Sequence, residues 1–254
     1  MTVNRNPPGL KLDPQGTRDA LALDWYTIAE GAIGAHDRVL LYGPPGTGKT
    51  YLALTGELNG REVYSVTLTE ETFAAELRGI PFPLADRVAM LYGPAILAAQ
   101  RGARLVIDEI NRASGDVLSF CLALCNDPAS RVITLPNGET IRPADGFQVI
   151  ATSNDPPSVL PEALRERFVS IECPTPAPGA FAVIPENLRD AVRRFVLNTD
   201  RDAAIPLRAF RAFVSLSETV GSAIAARIAF GDRCCDVIDA LALATAPAPE
   251  KDRT

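Results

Sequence analysis

Short apolar runs alternate with helix-spaced apolar residues over the first two thirds of the chain, and helical spacing alone follows. Val39-Leu40-Leu41-Tyr42 predicts a buried strand over Arg38–Tyr42, and a helix runs from Lys49 to about Leu58, where Asn59-Gly60 stops it. Val63-Tyr64-Ser65-Val66-Thr67 alternates and is β-branched, which predicts a second strand. Glu70 to Arg78 returns to helix and ends at Gly79. Ile80-Pro81-Phe82-Pro83 is then a breaker-rich loop, and Gly93 to Arg101 is helical again. Arg104-Leu105-Val106-Ile107 predicts a third strand ending in Asp108-Glu109, with a helix from about Ser114 to Asn126 after it. Val132 to Pro136 and Glu139 to Ile141 flank Asn137-Gly138, a pair that supplies the positive φ angles of a tight hairpin turn. Phe147 to Thr152 is a fourth strand followed by Ser153-Asn154, Pro161 to Arg167 a short helix, and Phe168 to Ile171 a fifth strand.

The pattern changes at Pro174, Pro176 and Pro178, which mark a linker or stiff loop. After it come only helical stretches, at about Glu186–Leu197, Leu207–Thr219, Ser222–Ala229 and Arg233–Ala244. The expected organisation is a flexible arm over 1–13, an α/β domain over 14–173, an all-helical lid over 174–246 and a disordered tail over 247–254. Strands alternating with helices imply a five-stranded parallel sheet that binds ligand at the carboxyl ends of its strands.

The first strand feeds Gly43-Pro44-Pro45-Gly46-Thr47-Gly48-Lys49-Thr50, which fits the phosphate-loop pattern G-x-x-x-x-G-K-[ST] at every fixed position. Its glycines let backbone N–H groups turn toward phosphate oxygens, and the helix that opens at Lys49-Thr50-Tyr51 adds its positive end. Lys49 is placed to reach the β- and γ-phosphates, and the Thr50 hydroxyl to hold Mg²⁺. Strand, loop and helix in this order point to a P-loop NTPase rather than an unliganded Gly/Pro turn. Leu21, Leu23, Trp25, Ile28 and Ala29 form an imperfect helical face over Thr17 to Gly31 that is expected to pack beside this site.

In a parallel sheet, Asp108 and Glu109 end the third strand at the same edge as the phosphate loop. Asp108 is suited to the Mg²⁺ shell and Glu109 to polarising the attacking water. Asn154 ends the fourth strand, where its amide can hydrogen-bond both that water and the γ-phosphate; the competing reading is a turn asparagine in Asn-Asp-Pro. Arg165 and Arg167 end a short helix that cannot easily reach its own nucleotide but, in a ring, can reach a neighbour's as an arginine finger. Surface arginines are the competing reading. Spacing alone leaves open whether Arg208, at the start of a lid helix, touches the γ-phosphate.

Composition narrows the partners. The 254 residues carry a net charge of −6 and a pI near 5.0, which argues against a generally basic nucleic-acid surface. There is no run of about twenty apolar residues and no signal-peptide core in Met1 to Pro14, so the expectation is a cytosolic protein without a membrane span. The five cysteines, Cys121, Cys125, Cys173, Cys234 and Cys235, are expected to be free thiols, with Cys121 and Cys125 on a buried stripe rather than a metal. His36, the single histidine, excludes a His-based metal site or a Ser-His-Asp triad within one chain, and is expected in a loop before the first strand.

Taken together, Gly43 to Thr50, Leu105-Val-Ile-Asp-Glu-Ile-Asn-Arg-Ala113, Val149 to Asn154, Leu160 to Phe168 and Pro206-Leu-Arg208 resemble the AAA+ ATPases. Within them they resemble the MoxR-like branch, with its rubisco-activating, nitric-oxide-reductase-activating and gas-vesicle relatives. The resemblance covers about residues 38–210. It implies Walker A, Walker B, sensor 1, arginine finger and sensor 2 roles for these segments in turn, favours Arg167 over Arg165 as the finger, and supports Arg208. It further implies Mg²⁺-dependent ATP hydrolysis in a homo-oligomeric ring, commonly hexameric, coupled to remodelling of a client protein, often with a partner carrying a von Willebrand factor A domain. The alternatives are a nucleic-acid motor like the related restriction-type GTPases, and a slow nucleotide-dependent scaffold. The chain departs from the branch at Ser153, where Gln or a similar residue is usual, in the short region after Gly79, which leaves room for only a small insert, and in the last lid helices.

Overall fold

The computed structural model describes residues 23–85, 88–198 and 204–245. The arm expected over 1–13, the start of the helix expected from Thr17 and the tail expected over 247–254 lie outside the described residues. Helix α1 (Trp25–Ala35) is capped by Asp24, whose carboxylate accepts from the Thr27 N–H at 3.0 Å, and leads into β1 (Arg38–Tyr42). Then come α2 (Lys49–Thr55), β2 (Val63–Thr67), α3 (Ala74–Arg78), β3 (Gly79–Pro83), β4 (Val88–Tyr92), α4 (Pro94–Arg101), β5 (Arg104–Asp108) and α5 (Gly115–Leu124). A small hairpin of β6 (Ile133–Thr134) and β7 (Thr140–Ile141) precedes β8 (Gln148–Ser153), α6 (Glu162–Arg165) and β9 (Val169–Glu172). Four helices follow: α7 (Arg189–Val196), α8 (Leu207–Val220), α9 (Ser222–Phe230) and α10 (Cys234–Thr245).

Five strands form one parallel sheet in the order β2-β5-β8-β1-β9. Period-two alternation sorts the side chains of the central strands between two cores. Leu40, Leu105, Ile107, Val149 and Ala151 face a core built with α3, α4, α5 and α6. Val39, Leu41, Val106 and Ile150 face the other, with Trp25, Ala29 and Ile33 of α1 and Leu52 and Ala53 of α2. A separate helical core surrounds Phe210, whose ring lies 5.8 Å from Phe195 and 5.1 Å from Phe230.

Three local expectations need correcting. The first is the loop at Ile80-Pro81-Phe82-Pro83, which is strand β3, paired antiparallel with β4. Pro81 and Pro83 have the same parity, so in a two-stranded ladder both can sit where the missing N–H would point outward. The short region after Gly79 is therefore an ordered hairpin inserted between α3 and α4, and it exposes Ile80, Phe82, Val88 and Leu91. The second is the turn at Asn137-Gly138. Only Gly138 has positive φ (84°), because the turn is Leu135-Pro136-Asn137-Gly138, closed by Gly138 N–H donating to the Leu135 carbonyl at 2.9 Å. Pro136 presets the first central position, and Gly138 takes the left-handed conformation at the last position of the turn. The third concerns helix ends: α2 stops at Thr55 rather than near Leu58, α3 begins at Ala74 rather than Glu70, and α1 continues past Gly31 to Ala35. Thr72 explains the late start of α3, since its hydroxyl accepts the Thr69 N–H at 2.9 Å and holds a turn where the helix was expected.

All five cysteines are free, with Cys121, Cys125 and Cys173 buried. Burial pushes the Cys125 thiol up to about 12, so it is neutral. His36 is the exposed C-cap of α1.

Candidate active site

The loop after β1 bends sharply because its neighbours leave no room for side chains. Gly43 has φ 138°, and a Cβ there would lie 2.6 Å from the Cys173 carbonyl oxygen, so only glycine fits. Cys173 N–H donates to the Tyr42 carbonyl at 2.7 Å, and Gly43 N–H donates to the Ser153 carbonyl at 3.2 Å. The loop is thus held between the carboxyl ends of β8 and β9.

Lys49 opens α2 and is 6% exposed. Its ammonium donates to the carbonyls of Gly43 at 2.7 Å and Pro44 at 2.8 Å, and to Asn154 Oδ1 at 3.0 Å. Burial lowers its pKa, partly offset by the nearby carboxylates of Glu109 and Asp108. These three oxygens satisfy a buried cation that, among the described residues, has no carboxylate in contact, and they mark where an anion's oxygens compete for it. Thr50 Oγ donates to Asp108 Oδ1 at 2.7 Å.

Asp108 is the last residue of β5, beside Thr152 of β8, whose hydroxyl also donates to Asp108 Oδ1, at 2.5 Å. The same Thr152 oxygen accepts the Glu109 N–H at 3.2 Å. Glu109 needs this support because its backbone is left-handed (φ 59°, ψ 46°), a conformation that costs a non-glycine residue about 1 kcal/mol or more. The turn aims the Glu109 carboxylate back along the sheet edge, where Oε1 accepts from Asn154 Nδ2. Glu109 Oε2 is buried without a hydrogen-bond partner and has the Arg112 guanidinium 3.6 Å away. Asn154 therefore bridges Lys49 and Glu109, accepting from one and donating to the other.

Thr152 was not singled out by sequence reasoning. The available signal was register: β5 and β8 are parallel with Ile107 beside Ala151, which sets Thr152 beside Asp108. Asn111 and Arg112 were quoted only as part of a matching run. Here Asn111 donates to Asp155 at 2.7 Å, and Arg112 flanks Glu109.

Other candidates lie elsewhere. Tyr51 is 67% exposed on α2. Arg165 reaches only Glu162, at 3.9 Å, and Arg167 donates to the Asn126 side-chain oxygen at 3.1 and 3.3 Å and to the Ala163 carbonyl. Neither touches the phosphate loop. A cleft of about 1010 Å³ opens over the loop, bounded by Gly43 to Thr47 and Asn154 on one side and by Val196, Ile205, Pro206 and Leu207 on the other. Arg208 is exposed one residue beyond that far wall. The linker is tied to the loop, since Ala177 N–H donates to the Thr47 carbonyl at 2.9 Å.

The cleft suits a nucleotide triphosphate with its metal. Gly46 (φ 82°) faces open space, which leaves room for phosphate against the backbone. Thr50 and Asp108 are two hard oxygen donors, few enough for Mg²⁺, which keeps several waters and shares phosphate oxygens. Among the described residues no helix is long and apolar enough to cross a membrane.

Comparison with known proteins agrees with this geometry. The family model for the AAA domain of the dynein-related subfamily matches residues 38–168, just over half of the chain. Midasin of Giardia intestinalis is 31% identical over 157 residues, which are 58% of this chain and 3% of midasin. Protein NorQ of Paracoccus denitrificans is 31% identical over 162 residues, 61% of this chain and 59% of NorQ. An uncharacterised protein of Staphylococcus saprophyticus is 33% identical over 157 residues, 58% of this chain and 59% of its own length. The match thus spans about three fifths, or far less, of these relatives. The matched span begins with β1, contains Lys49, Asp108, Glu109 and Asn154, and ends just before β9, and the chain belongs to the AAA family as an AAA+ ATPase of the MoxR-like type.

Proposed function

We propose that this chain hydrolyses ATP with Mg²⁺ in a ring of identical subunits, most simply a hexamer, and couples the hydrolysis to remodelling a client protein. The observation that carries the reading is the junction at Asn154, which joins the phosphate-loop lysine to the carboxylate best placed to activate water. In this reading Lys49 exchanges the carbonyls of Gly43 and Pro44 for β- and γ-phosphate oxygens. Thr50 and Asp108 hold the Mg²⁺ shell, and the bound ion neutralises charge on the phosphates. Glu109 accepts a proton from the attacking water through Oε2, which has no hydrogen bond of its own, and Asn154 orients that water while keeping Glu109 in place. Arg208, beside the far wall of the cleft, couples the helical lid to the γ-phosphate.

The similarity to NorQ supports the coarser statement of an ATPase; the ring, a client and a partner with a von Willebrand factor A domain are this reading's extension. Phosphate release from ATP that stops when Mg²⁺ is chelated, and that exceeds release from GTP, is the expected result. Lys49→Ala is expected to weaken binding of a fluorescent ATP analogue at least about tenfold, because a buried charge that should meet phosphate is gone. Wild-type affinity in a folded Lys49→Ala protein would refute the site. Strong, salt-sensitive DNA binding would favour a nucleic-acid motor instead.

The tip at Asn137-Gly138 is proposed to touch the client. Both residues are exposed, and Asn137 is tied only to Glu139 of its own hairpin, at 3.1 and 3.4 Å. Replacing Asn137 by serine, which leaves the left-handed Gly138 in place, is expected to leave basal ATPase activity unchanged and to impair stimulation by the client. Full stimulation would remove the claim.

A further inference from the structure

We infer that Arg104 is a positioning residue for the phosphate loop: with Asp108 at the opposite end of the same strand, it holds α2 at both ends and so sets how Lys49 and Thr50 meet phosphate. The inference rests on the reading that the loop binds nucleotide.

Arg104 is the first residue of β5 and is 0% exposed. A buried arginine is ordinarily matched by a carboxylate, yet among the described residues Arg104 makes no ion pair. Its guanidinium is spent on the C-terminal end of α2. Nη1 donates to the carbonyls of Ala53 at 3.0 Å and Gly56, and Nη2 to Glu57 at 3.0 Å. These are carbonyls that a helix end leaves without partners, and the cation also meets the negative end of the helix dipole. Nε donates to Gln148 Oε1 at 2.8 Å, on the residue beside Arg104 in the sheet register. Gln148 Nε2 in turn donates to the carbonyls of Ile33 at 2.6 Å and His36 at 2.7 Å, closing the end of α1. Burial lowers the Arg104 pKa to about 10, helped by repulsion from Arg61 and opposed by Glu57, so the group stays charged at neutral pH.

At the other end of β5, Asp108 accepts from Thr50, in the first turn of α2. The ends of a five-residue strand are about 13 Å apart, and a seven-residue helix is about 10 Å long. The two anchors therefore span nearly the whole helix. Leu52 and Ala53 are the only apolar residues of α2 that are fully buried, which gives the helix little apolar hold against sliding along the sheet. The polar anchors decide its position, and Lys49 moves with it.

The test is the dissociation constant of an N-methylanthraniloyl-ADP·Mg²⁺ probe, read by fluorescence on the full chain. Arg104→Met keeps the volume and removes the charge and donors. It is expected to bind the probe at least tenfold more weakly while remaining folded by circular dichroism. Arg104→Lys is expected to lose less at pH 7. Its affinity relative to wild type should then fall further toward pH 9, because a buried lysine is deprotonated as pH rises and the cation facing these carbonyls is lost. Glu57 and Arg61 are the charged groups bearing on that position. A purely steric role predicts a pH-independent ratio. Wild-type affinity in folded Arg104→Met overturns the inference. If Arg104→Met does not fold, a flat, wild-type-like ratio for Arg104→Lys does the same. A wild-type chain that binds no probe refutes the nucleotide reading instead.

Discussion

Arg167→Ala subunits and Lys49→Ala subunits, each inactive alone, are expected to recover ATP hydrolysis when mixed. Among the described residues Lys49 is the cation bonded to the phosphate loop, and the reading calls for a further cation on the γ-phosphate in the transition state. Arg167 lies beyond α6 and spends its guanidinium on Asn126 and the Ala163 carbonyl, away from its own loop. A neighbouring subunit can present it. A supplied arginine is worth about 10³-fold or more in rate. In the mixture, the Arg167→Ala subunit brings an intact phosphate site and the Lys49→Ala subunit an intact arginine. Activity per subunit should also rise with protein concentration as rings form. Sedimentation checks that both variants assemble. Arg165→Ala serves as the comparison, because the Arg165 contact with Glu162, at 3.9 Å, is weak and leaves it free for the same role. Undiminished turnover by Arg167→Ala in a demonstrated monomer would show that no finger is used.

Glu109→Gln is expected to bind ATP normally and hydrolyse it about 10² to 10³ times more slowly, the range that general-base catalysis supplies. The substitution preserves shape, so Asn154 can still donate to the remaining carbonyl oxygen. The left-handed turn held by Thr152 is unaffected, because its bond is to the Glu109 backbone N–H. What is lost is a carboxylate oxygen, Glu109 Oε2, that is buried and has no hydrogen bond of its own. Asp108 is tied through Oδ1 to Thr50 and Thr152 and, in this reading, is engaged in the Mg²⁺ shell. Phosphate release gives the rate, and fluorescence titration the affinity. Turnover at the wild-type rate would assign the base elsewhere.

Much of this protein is legible along the chain because its determinants are local. Arg38–Tyr42 and Val63–Thr67 are strands at the boundaries their sequences predict: β1, inside the sheet, buries a continuous apolar run, and β2, at the sheet edge, alternates β-branched and polar residues. Gly43 to Thr50 declares a phosphate loop within eight residues, because backbone curvature, a cation and a hydroxyl are all required at fixed spacing. Asp108 and Asn154 follow from strand ends and a parallel topology. Tertiary structure alone decided what depends on residues distant in sequence. Pro81 and Pro83 are breakers by themselves and strand residues only once Val88 to Tyr92 supplies a partner. Thr152 matters only because sheet register sets it beside Asp108. Arg104 reads along the chain only as the charged first residue of a strand, and it is buried because the end of α2, over residues 53 to 57, offers carbonyls at the right place. Apolar pattern reports what each segment must hide, but the pairing of buried polar groups is settled only when the segments meet.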